Sequence, residues 1–388
     1  MGCWVTRLVG VPRSSAGSAR ATGKDGKLAQ TYRRFAEVDA AKISPLYEHI
    51  ALALSESDEA LSAIEAVPAR KRSPALVLAA LHHLALTGQA PTLATAYEAV
   101  SASPAPTDPD ATANVDLATD AAIQTLVKMT EAVIALVAHR KVRTNPAGNH
   151  AVLYPAIAEV ARRTGAGTVG LIDVGCSAGF NLNVDRAAIN YGNEQTLGDP
   201  SSPVQVSASV VGDRAIPVHA IPEVVARIGI DLEPIDTRDA DEARWLRACV
   251  PPDQPERIAR LEGELELAES VPPFLMQGDK VDLLPDALAR VPADALPVVT
   301  TTWALSDLPL ESRLRFLQRL DAAATNRPVA WVSVEGVGVA PAIPTFGDRP
   351  ASGHSIISLA VFDHSTLHAE AAGRCWLRGQ MLAWLADS

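Results

Sequence analysis

Apolar residues recur at helical spacing through the first part of the chain. Between residues 28 and 140, stripes at i, i+3 and i+4 alternate with polar faces, a pattern typical of amphipathic helices that pack together. Leu46, Ile50 and Leu54 form one such stripe, and a longer one runs through residues 123–137. The pattern predicts a helical N-terminal subdomain over residues 28–140.

The remainder of the chain carries short, nearly continuous apolar runs separated by helical stretches. Such runs are typical of strands buried on both faces of a parallel sheet, and their alternation with helices indicates an α/β domain. We therefore predict, over residues 141–388, a doubly wound, mostly parallel Rossmann-like sheet with a closing antiparallel strand. The runs cover residues 169–174, 229–232, 274–276, 298–303, 329–334, 356–362 and 375–377.

Two segments depart from this plan. Residues 1–27 are basic, with Gly and Ser scattered among the charges, which predicts a disordered tail. About 50 residues separate the end of the first predicted strand from the second, more than one crossover helix needs. We therefore expect an insertion near residues 190–225.

Charge and cysteine content narrow the class of protein. Residues 1–150 hold 15 Lys and Arg against 14 Asp and Glu, whereas residues 151–388 hold 19 against 31. An acidic larger part disfavours a nucleic-acid partner. Four distant cysteines without a CxxC pair favour a reducing, cytoplasmic location, and no apolar run is long enough to predict a membrane span. A small-molecule enzyme fits best.

The segment with candidate chemistry follows the first predicted strand. Asp173 ends that strand, and small residues follow at Gly175, Ser177 and Gly179. Small residues let a ligand approach the backbone, and we expect a helix to follow whose N-terminus points at the ligand. In open α/β sheets, ligands bind beyond the carboxyl ends of the strands, where this turn lies.

One interpretation of the segment is a serine hydrolase. Gly175 to Gly179 matches G-x-S-x-G, the nucleophile elbow, with Ser177 as the nucleophile. Asp307 followed by His354, His364 or His368 would complete the required order. Hydrolases of this class have strands before the elbow, whereas helices are predicted here, so this interpretation is the less favoured alternative.

The same segment resembles the D-x-G-x-S-x-G motif of class I S-adenosylmethionine-dependent methyltransferases. The resemblance implies that S-adenosylmethionine is the cofactor. It also implies that the acidic end of the second strand, Asp231 or Glu233, holds the ribose and that Asp279 after Gly278 meets the adenine. Because the insertion is a departure from the family pattern, an acid within it, such as Asp213, is the alternative to Asp231. The residues assigned to cofactor binding are Asp173, Gly175, Ser177, Gly179, Asn181, Asp231, Gly278 and Asp279.

Residues 31–388 also resemble a bacterial family of unknown function, which implies a methyltransferase-like fold but no particular substrate. The matching landmarks are Tyr32-Arg33-Arg34-Phe35, Ser44-Pro45-Leu46-Tyr47, Arg143-Thr144-Asn145, Asn181-Leu182-Asn183 with Asp185-Arg186, Gly198-Asp199-Pro200 and Trp331-Val332-Ser333-Val334-Glu335-Gly336.

From this resemblance we predict methyl transfer to a small-molecule acceptor, with no nucleic-acid or membrane partner. His150 and Asp307 are the candidate catalytic residues, and Asn145 and Asn149 are placed to overhang the site. Trp303 could flank the ligand or belong to the core. No metal site is expected. A non-catalytic binding or regulatory protein with the same fold is the alternative.

Overall fold

A computed structural model describes residues 25–102, 109–143, 148–192, 195–364 and 366–386. Most of the predicted disordered tail lies outside these ranges, and the first helix already begins at Asp25. The chain forms a helical N-terminal part and a mixed α/β part with a large, mostly parallel sheet. This confirms the predicted class at that level.

Within the described residues, seven α-helices form the N-terminal part, and serine side chains cap the starts of two of them. Ser44 accepts a hydrogen bond from the Tyr47 backbone N–H at 3.0 Å ahead of Pro45, and Ser57 caps the next helix in the same way. The helices are α1 Asp25–Arg34, α2 Pro45–Glu56, α3 Asp58–Ala66, α4 Pro74–Leu86, α5 Pro91–Ala102, α6 Pro109–Lys128 and α7 Thr130–His139.

The long apolar stripe through residues 123–137 is not one helix. Met129 leaves helical conformation (φ −118°, ψ 29°), and α6 and α7 meet there at 85°. Leu126 and Val133 still face the same core, which is why the periodicity continues across the break. Among the described helices, none alone is long and apolar enough to cross a membrane; α6 and α7 meet that criterion only as a bent pair.

In the part of the chain that the structure describes, nine strands form the main sheet and three short strands form a second one. The main order is β5-β12-β11-β10-β9-β8-β1-β6-β7, with parallel pairing from β9 through β7. Strands β10, β11 and β12 close the sheet by antiparallel pairing. The strands are β1 Thr168–Val174, β2 Ala188–Asn190, β3 Thr196–Gly198, β4 Gln205–Ser207, β5 Ser209–Val210, β6 Glu223–Asp231, β7 Phe274–Gln277, β8 Leu296–Thr302, β9 Val329–Gly336, β10 Ser355–Asp363, β11 Thr366–Trp376 and β12 Met381–Trp384.

Both faces of the sheet are covered. One core joins the sheet to the buried helix α8 and to the small sheet, and the other joins it to α11 and α12. The helices of this part are α8 Asn149–Thr164, α9 Ala240–Ala248, α10 Pro255–Ser270, α11 Leu284–Ala289 and α12 Leu310–Ala323.

The chain after β1 differs from the prediction. Residues Phe180–Arg186 form a 3₁₀ helix instead of an α-helix, and the chain then enters the small sheet β2–β4. Asn, Val and Asp dominate this segment and are weak helix formers. The expected α-helix N-terminus is therefore absent at this turn. The insertion near 190–225 instead supplies β3 and β4, and its β5 pairs with β12 at the sheet edge.

The helical part is packed firmly onto α9. Trp245 is fully buried within the helical core, and its Nε1 donates to the Lys141 carbonyl at 2.8 Å. Arg140 forms ion pairs with Asp241 and Glu242 on α9. Trp245 and Ala248 of α9 therefore belong to the same core as the helices before residue 140.

Candidate functional site

The turn after β1 is held in an unusual backbone conformation. Gly175, Ser177 and Gly179 all have left-handed φ values, of 81°, 51° and 76°. The Gly175 and Cys176 N–H groups donate to the Ile230 carbonyl at 2.8 and 3.2 Å. A non-glycine residue in this region of φ is uncommon, so the conformation of Ser177 must be imposed by its surroundings.

The two glycines of the turn are required by space as well as by conformation. A Cβ on Gly175 would lie 2.9 Å from the Cβ of Ala304, and one on Gly179 would lie 2.9 Å from Pro273 Cγ. Both distances are shorter than a normal carbon contact. The glycines of the motif therefore allow the turn after β1 to pack closely against Pro273 and Ala304 of the same chain.

Asp231 fixes the middle of this turn from the next strand. Its Oδ2 accepts a hydrogen bond from the Ser177 N–H at 3.0 Å, and its Oδ1 accepts one from the Glu233 N–H at 2.9 Å. Each carboxylate oxygen has a further lone pair. The structure thus gives Asp231 a loop-holding role, which sequence reasoning had not predicted.

Asp173 lies beneath the turn in a hydrogen-bonded, fully buried position. Its Oδ1 accepts from Thr300 Oγ1 at 2.7 Å, and its Oδ2 accepts from Asn181 Nδ2 at 3.1 Å. Burial raises the pKa of Asp173 to about 6, against the lowering effect of these two donors. The carboxylate is therefore ionised at neutral pH but near its titration range.

Asn149 extends this network from the start of α8. Its Nδ2 donates to Asn181 Oδ1 at 3.0 Å, whereas its Oδ1 is buried without a hydrogen-bond partner. A buried acceptor without a partner is costly unless a ligand or water satisfies it. The Asn149–Asn181–Asp173 chain therefore ends in a free acceptor.

The turn, Asn149 and Asn181 line a cavity with about 730 Å³ of empty space, including its open mouth, whereas Asp173, Gly179 and Asp231 are not part of the lining. One part of the lining is the turn at residues 175–178. The polar side chains that line it are those of Arg143, Asn149, Asn181, Thr302 and Arg378. The large apolar ones are those of Phe180, Leu246 and Trp303.

Trp303 and Arg378 form one wall of the cavity. The Trp303 Nε1 donates to Ser355 Oγ at 2.8 Å, and the Arg378 guanidinium lies 4.7 Å from the ring centroid. Both residues have left-handed φ, of 53° and 54°. Such conformations are sparse for non-glycine residues and cluster at functional sites.

Close packing between two glycines holds this wall in place. A Cβ on Gly148 would lie 2.1 Å from the Gly379 carbonyl carbon, and one on Gly379 would lie 2.4 Å from the Gly148 oxygen. The turn carrying Arg378 is thereby pressed against the start of α8, next to Asn149. Residues more than 200 positions apart along the chain thus meet at one cavity.

Glu335 supports the loop after β8 from within the protein. Its Oε1 accepts hydrogen bonds from the Ala304 and Leu305 N–H groups at 2.9 and 3.0 Å, and its Oε2 has no partner. Burial raises its pKa to about 7. Sequence reasoning noted Glu335 only as part of a landmark, because nothing in the local pattern separates a buried acid from a surface one.

Several predicted site residues lie away from the lining. Asp279 is exposed, and its Oδ1 accepts from the Val281 and Asp282 N–H groups at 2.9 and 3.1 Å. Gly278 beside it has a φ of 157°. Asp213 lies in a different surface depression, beside Arg214. The proposed replacement of Asp231 by Asp213 is therefore not supported, because Asp213 is on the far loop that leads into β6.

The two candidate catalytic residues are not at the cavity either. His150 is buried behind it, with Nε2 3.3 Å from the Phe180 carbonyl oxygen, and burial lowers its pKa to about 4. Asp307 is exposed on the loop after β8 and does not line the cavity. Neighbouring positions on a helix or loop can face opposite directions, which the sequence alone does not reveal. Asn145 lies outside the described residues.

The hydrolase interpretation finds no partner for its nucleophile. All nine histidines lie in the described ranges, and none of them forms a hydrogen bond with Ser177. His354 instead pairs with Asp348 at 2.8 Å, and His364 pairs with Asp363 at 2.7 Å. Within the described ranges, no group of three His, Cys, Asp or Glu could hold a metal ion.

Sequence reasoning missed much of the cavity lining. A signal existed for two of its residues: Arg143 lies in a landmark of the family resemblance, and Trp303 was predicted either to flank the ligand or to belong to the core. Arg378, Leu246 and Thr302 carried none, because each lies in an ordinary local pattern.

A family model described as "Uncharacterized protein conserved in bacteria (DUF2332)" matches residues 29–384. The curated proteins yield no match, and neither do the solved structures.

Proposed function

The chain belongs to this bacterial family, DUF2332, and we propose that it is an S-adenosylmethionine-dependent methyltransferase that acts on a small-molecule acceptor. The observation that carries the proposal is the turn from Gly175 to Gly179. Its left-handed backbone lines the cavity, and Asn181, also in the lining, donates a hydrogen bond to the buried carboxylate of Asp173.

The strand order supports a Rossmann-like interpretation of the sheet. Along β7-β6-β1-β8-β9 the parallel strands follow the order 3-2-1-4-5. In such sheets, ligands bind where the order reverses, beyond the carboxyl ends of the strands. Here the reversal lies between β1 and β8, and the cavity is lined by Gly175 after β1 and by Thr302 at the end of β8.

The residues present fit the methionine end of this cofactor. The free Oδ1 of Asn149 can accept a hydrogen bond from an ammonium group, and the Asp173 carboxylate adds negative charge behind Asn181. When bound, S-adenosylmethionine would supply a methyl group activated on a sulfonium. The chain's contribution is to orient this group and to exclude water with Phe180 and Leu246, and such positioning is a large part of catalysis.

Asp231, Gly278 and Asp279 remain proposed contacts of the nucleoside end. Asp231 keeps one lone pair on each oxygen after accepting from Ser177 and Glu233. Its position at the end of β6, next to β1, suits a ribose contact. Asp279 accepts the two backbone hydrogen bonds of its turn through Oδ1, so its Oδ2 remains available for a contact with the nucleoside.

A non-catalytic binding protein is the second candidate, and one observation favours it. Among the described residues that line the cavity, none carries a carboxylate or an imidazole that could act as a general base. Turnover of S-adenosylmethionine in a metabolite extract would separate the two candidates, because a binding protein would retain the cofactor unchanged.

The direct test is thermal unfolding with S-adenosylmethionine and with S-adenosylhomocysteine. A ligand at 100 times its dissociation constant stabilises the folded protein by about 2.7 kcal/mol, which raises the melting temperature by a few degrees. We expect this rise in the wild type and not in Asp173→Ala. Asp348→Ala is the control, because it also removes a hydrogen-bonded acid but not one at the cavity. No rise at millimolar ligand in the wild type would refute the proposal.

A further inference from the structure

We propose that the methyl acceptor is a carboxylic acid, bound as its carboxylate by Arg378 and Arg143 and converted to a methyl ester. This inference rests on the proposed function and names its substrate class. It is carried by the charge of the cavity, by the construction of the wall that holds Arg378, and by the chemistry that the lining lacks.

The charged side chains that line the described cavity are both arginines. Arg378 forms no ion pair with any carboxylate in the described residues, and its guanidinium lies 4.7 Å from the centroid of the Trp303 ring. Arg143 lies 3.2 Å from Glu233, but Lys141 shares that same carboxylate at 2.7 Å. Glu233 and the adjacent Asp231 together offset the charges of Arg143 and Lys141. Arg378, in contrast, has no carboxylate partner among the described residues, so its side of the cavity favours an anion.

The geometry of Arg378 suits a carboxylate in particular. The guanidinium lies over the Trp303 ring at 4.7 Å. An arginine held over an aromatic face keeps N–H groups available, and these match the two oxygens of a carboxylate. The Trp303 ring is itself held by Ser355, and the turn of Arg378 is held by the packing of Gly379 on Gly148. This wall is preorganised, which lowers the entropy lost when an anion binds.

The absence of a general base in the described lining is consistent with this acceptor. An amine or alcohol must lose a proton before or during methyl transfer, whereas a carboxylic acid is already ionised at neutral pH. A carboxylate oxygen would form the new C–O bond while the C–S bond of the sulfonium breaks. Sulfur keeps that electron pair as a thioether, and no proton is released. The lining therefore needs donors and positive charge, which the arginines provide.

The first experiment measures anion binding to the full chain saturated with S-adenosylhomocysteine. Isothermal titration with benzoate, acetate and inorganic phosphate would be run on the wild type, Arg378→Gln and Arg378→Lys. Arg315→Gln is the matched control, since Arg315 is a surface arginine 3.7 Å from Asp282 and outside the cavity. We expect benzoate to bind at least tenfold more weakly to Arg378→Gln, with a smaller loss for Arg378→Lys and none for the control. The affinity for S-adenosylhomocysteine should change less than threefold.

Three results would overturn the inference. A tenfold loss of S-adenosylhomocysteine affinity in Arg378→Gln would assign Arg378 to the cofactor's own carboxylate. Binding of phosphate but not of benzoate would assign the wall to a phosphorylated acceptor. If neither benzoate nor acetate binds, the wall does not bind carboxylates. Failure of the wild type to bind S-adenosylhomocysteine is a separate result, because it refutes the proposed function itself.

The second experiment identifies the bond formed without knowledge of the acceptor. The full chain would be incubated with S-adenosylmethionine tritiated in the methyl group and a protein-free bacterial metabolite extract. Methyl esters release tritiated methanol in mild alkali, whereas methylated amines and ethers do not. Alkali-labile label that falls at least tenfold with Arg378→Gln supports the inference, and alkali-stable label overturns it while leaving the proposed methyltransferase activity intact.

Discussion

Asn181 Nδ2 lies 3.1 Å from Asp173 Oδ2, and this hydrogen bond connects the cavity lining to a carboxylate buried beneath it. The same nitrogen lies 3.3 Å from Thr302 Oγ1, and Asn181 Oδ1 accepts from Asn149. A change in the charge of Asp173 is therefore transmitted to the cavity through one side chain.

The first prediction concerns the pH dependence of cofactor binding. The pKa of Asp173 is raised by burial to about 6, so the carboxylate is protonated well below that pH and ionised above it. Only the ionised form attracts a cationic ligand. We expect the affinity for S-adenosylmethionine to rise between pH 5 and 7, as measured by isothermal titration. Asp173→Asn should bind weakly with little pH dependence, and an unchanged pH profile in this variant would contradict the role of Asp173.

The second prediction concerns stability and Glu335. Burial raises the pKa of this acid from 4.5 to about 7 in the folded protein. The folded state thus binds its proton more tightly than the unfolded state does, and the stability this confers below pH 4.5 is lost as the pH rises to 7. At about 1.4 kcal/mol per pKa unit, the loss is on the order of 3 kcal/mol.

The test of this second prediction is urea unfolding of the wild type and Glu335→Gln between pH 4.5 and 8. Glutamine keeps an oxygen that can accept from Ala304 and Leu305 but does not titrate in this range. We expect the variant to gain stability relative to the wild type as the pH rises. Parallel stability curves for the two proteins would show that Glu335 is not buried as an acid.

The third prediction concerns Ser177 and separates two chemistries. Its φ of 51° suits glycine, so Ser177→Gly should preserve the fold and relieve backbone strain of about 1 kcal/mol. The affinity for S-adenosylhomocysteine should stay within threefold of the wild type. The substitution retains the backbone N–H at position 177, which donates a hydrogen bond to Asp231. Labelling of the wild type, but not of Ser177→Gly, by a fluorophosphonate probe would instead support the hydrolase alternative.

The fourth prediction concerns the joint between the two parts of the chain. Trp245 of α9 is buried in the core of the helical part, so Trp245→Ala should lower the free energy of unfolding by about 3–5 kcal/mol. Trp376 is less buried, so Trp376→Ala should lower the free energy of unfolding by a smaller amount. We expect a single unfolding transition in the wild type by circular dichroism and tryptophan fluorescence. Two separate transitions would show that the helical part unfolds independently.

Much of the sheet was predictable because a buried parallel strand has a local signature. The apolar runs at 169–174 and 329–334 correspond closely to β1 and β9. β6 begins six residues earlier than predicted. The charged Arg227 interrupts the apolar pattern there, and the strand accommodates it because Arg227 is paired with Asp185 at 2.6 Å. β5 has two residues and exists only through its pairing with β12, so no local pattern could reveal it.

The sequence by itself determined the local features of this protein: the helical stripes, the buried strands and the glycine-bounded turn after Asp173. These depend on the period of apolar residues and on backbone conformations available to small residues. Only the tertiary structure decided that Arg143, Trp303 and Arg378 meet at that turn. Their meeting depends on strand order and on the packing of Gly379 against Gly148, and contacts over such sequence distances leave no trace in the pattern around any one residue.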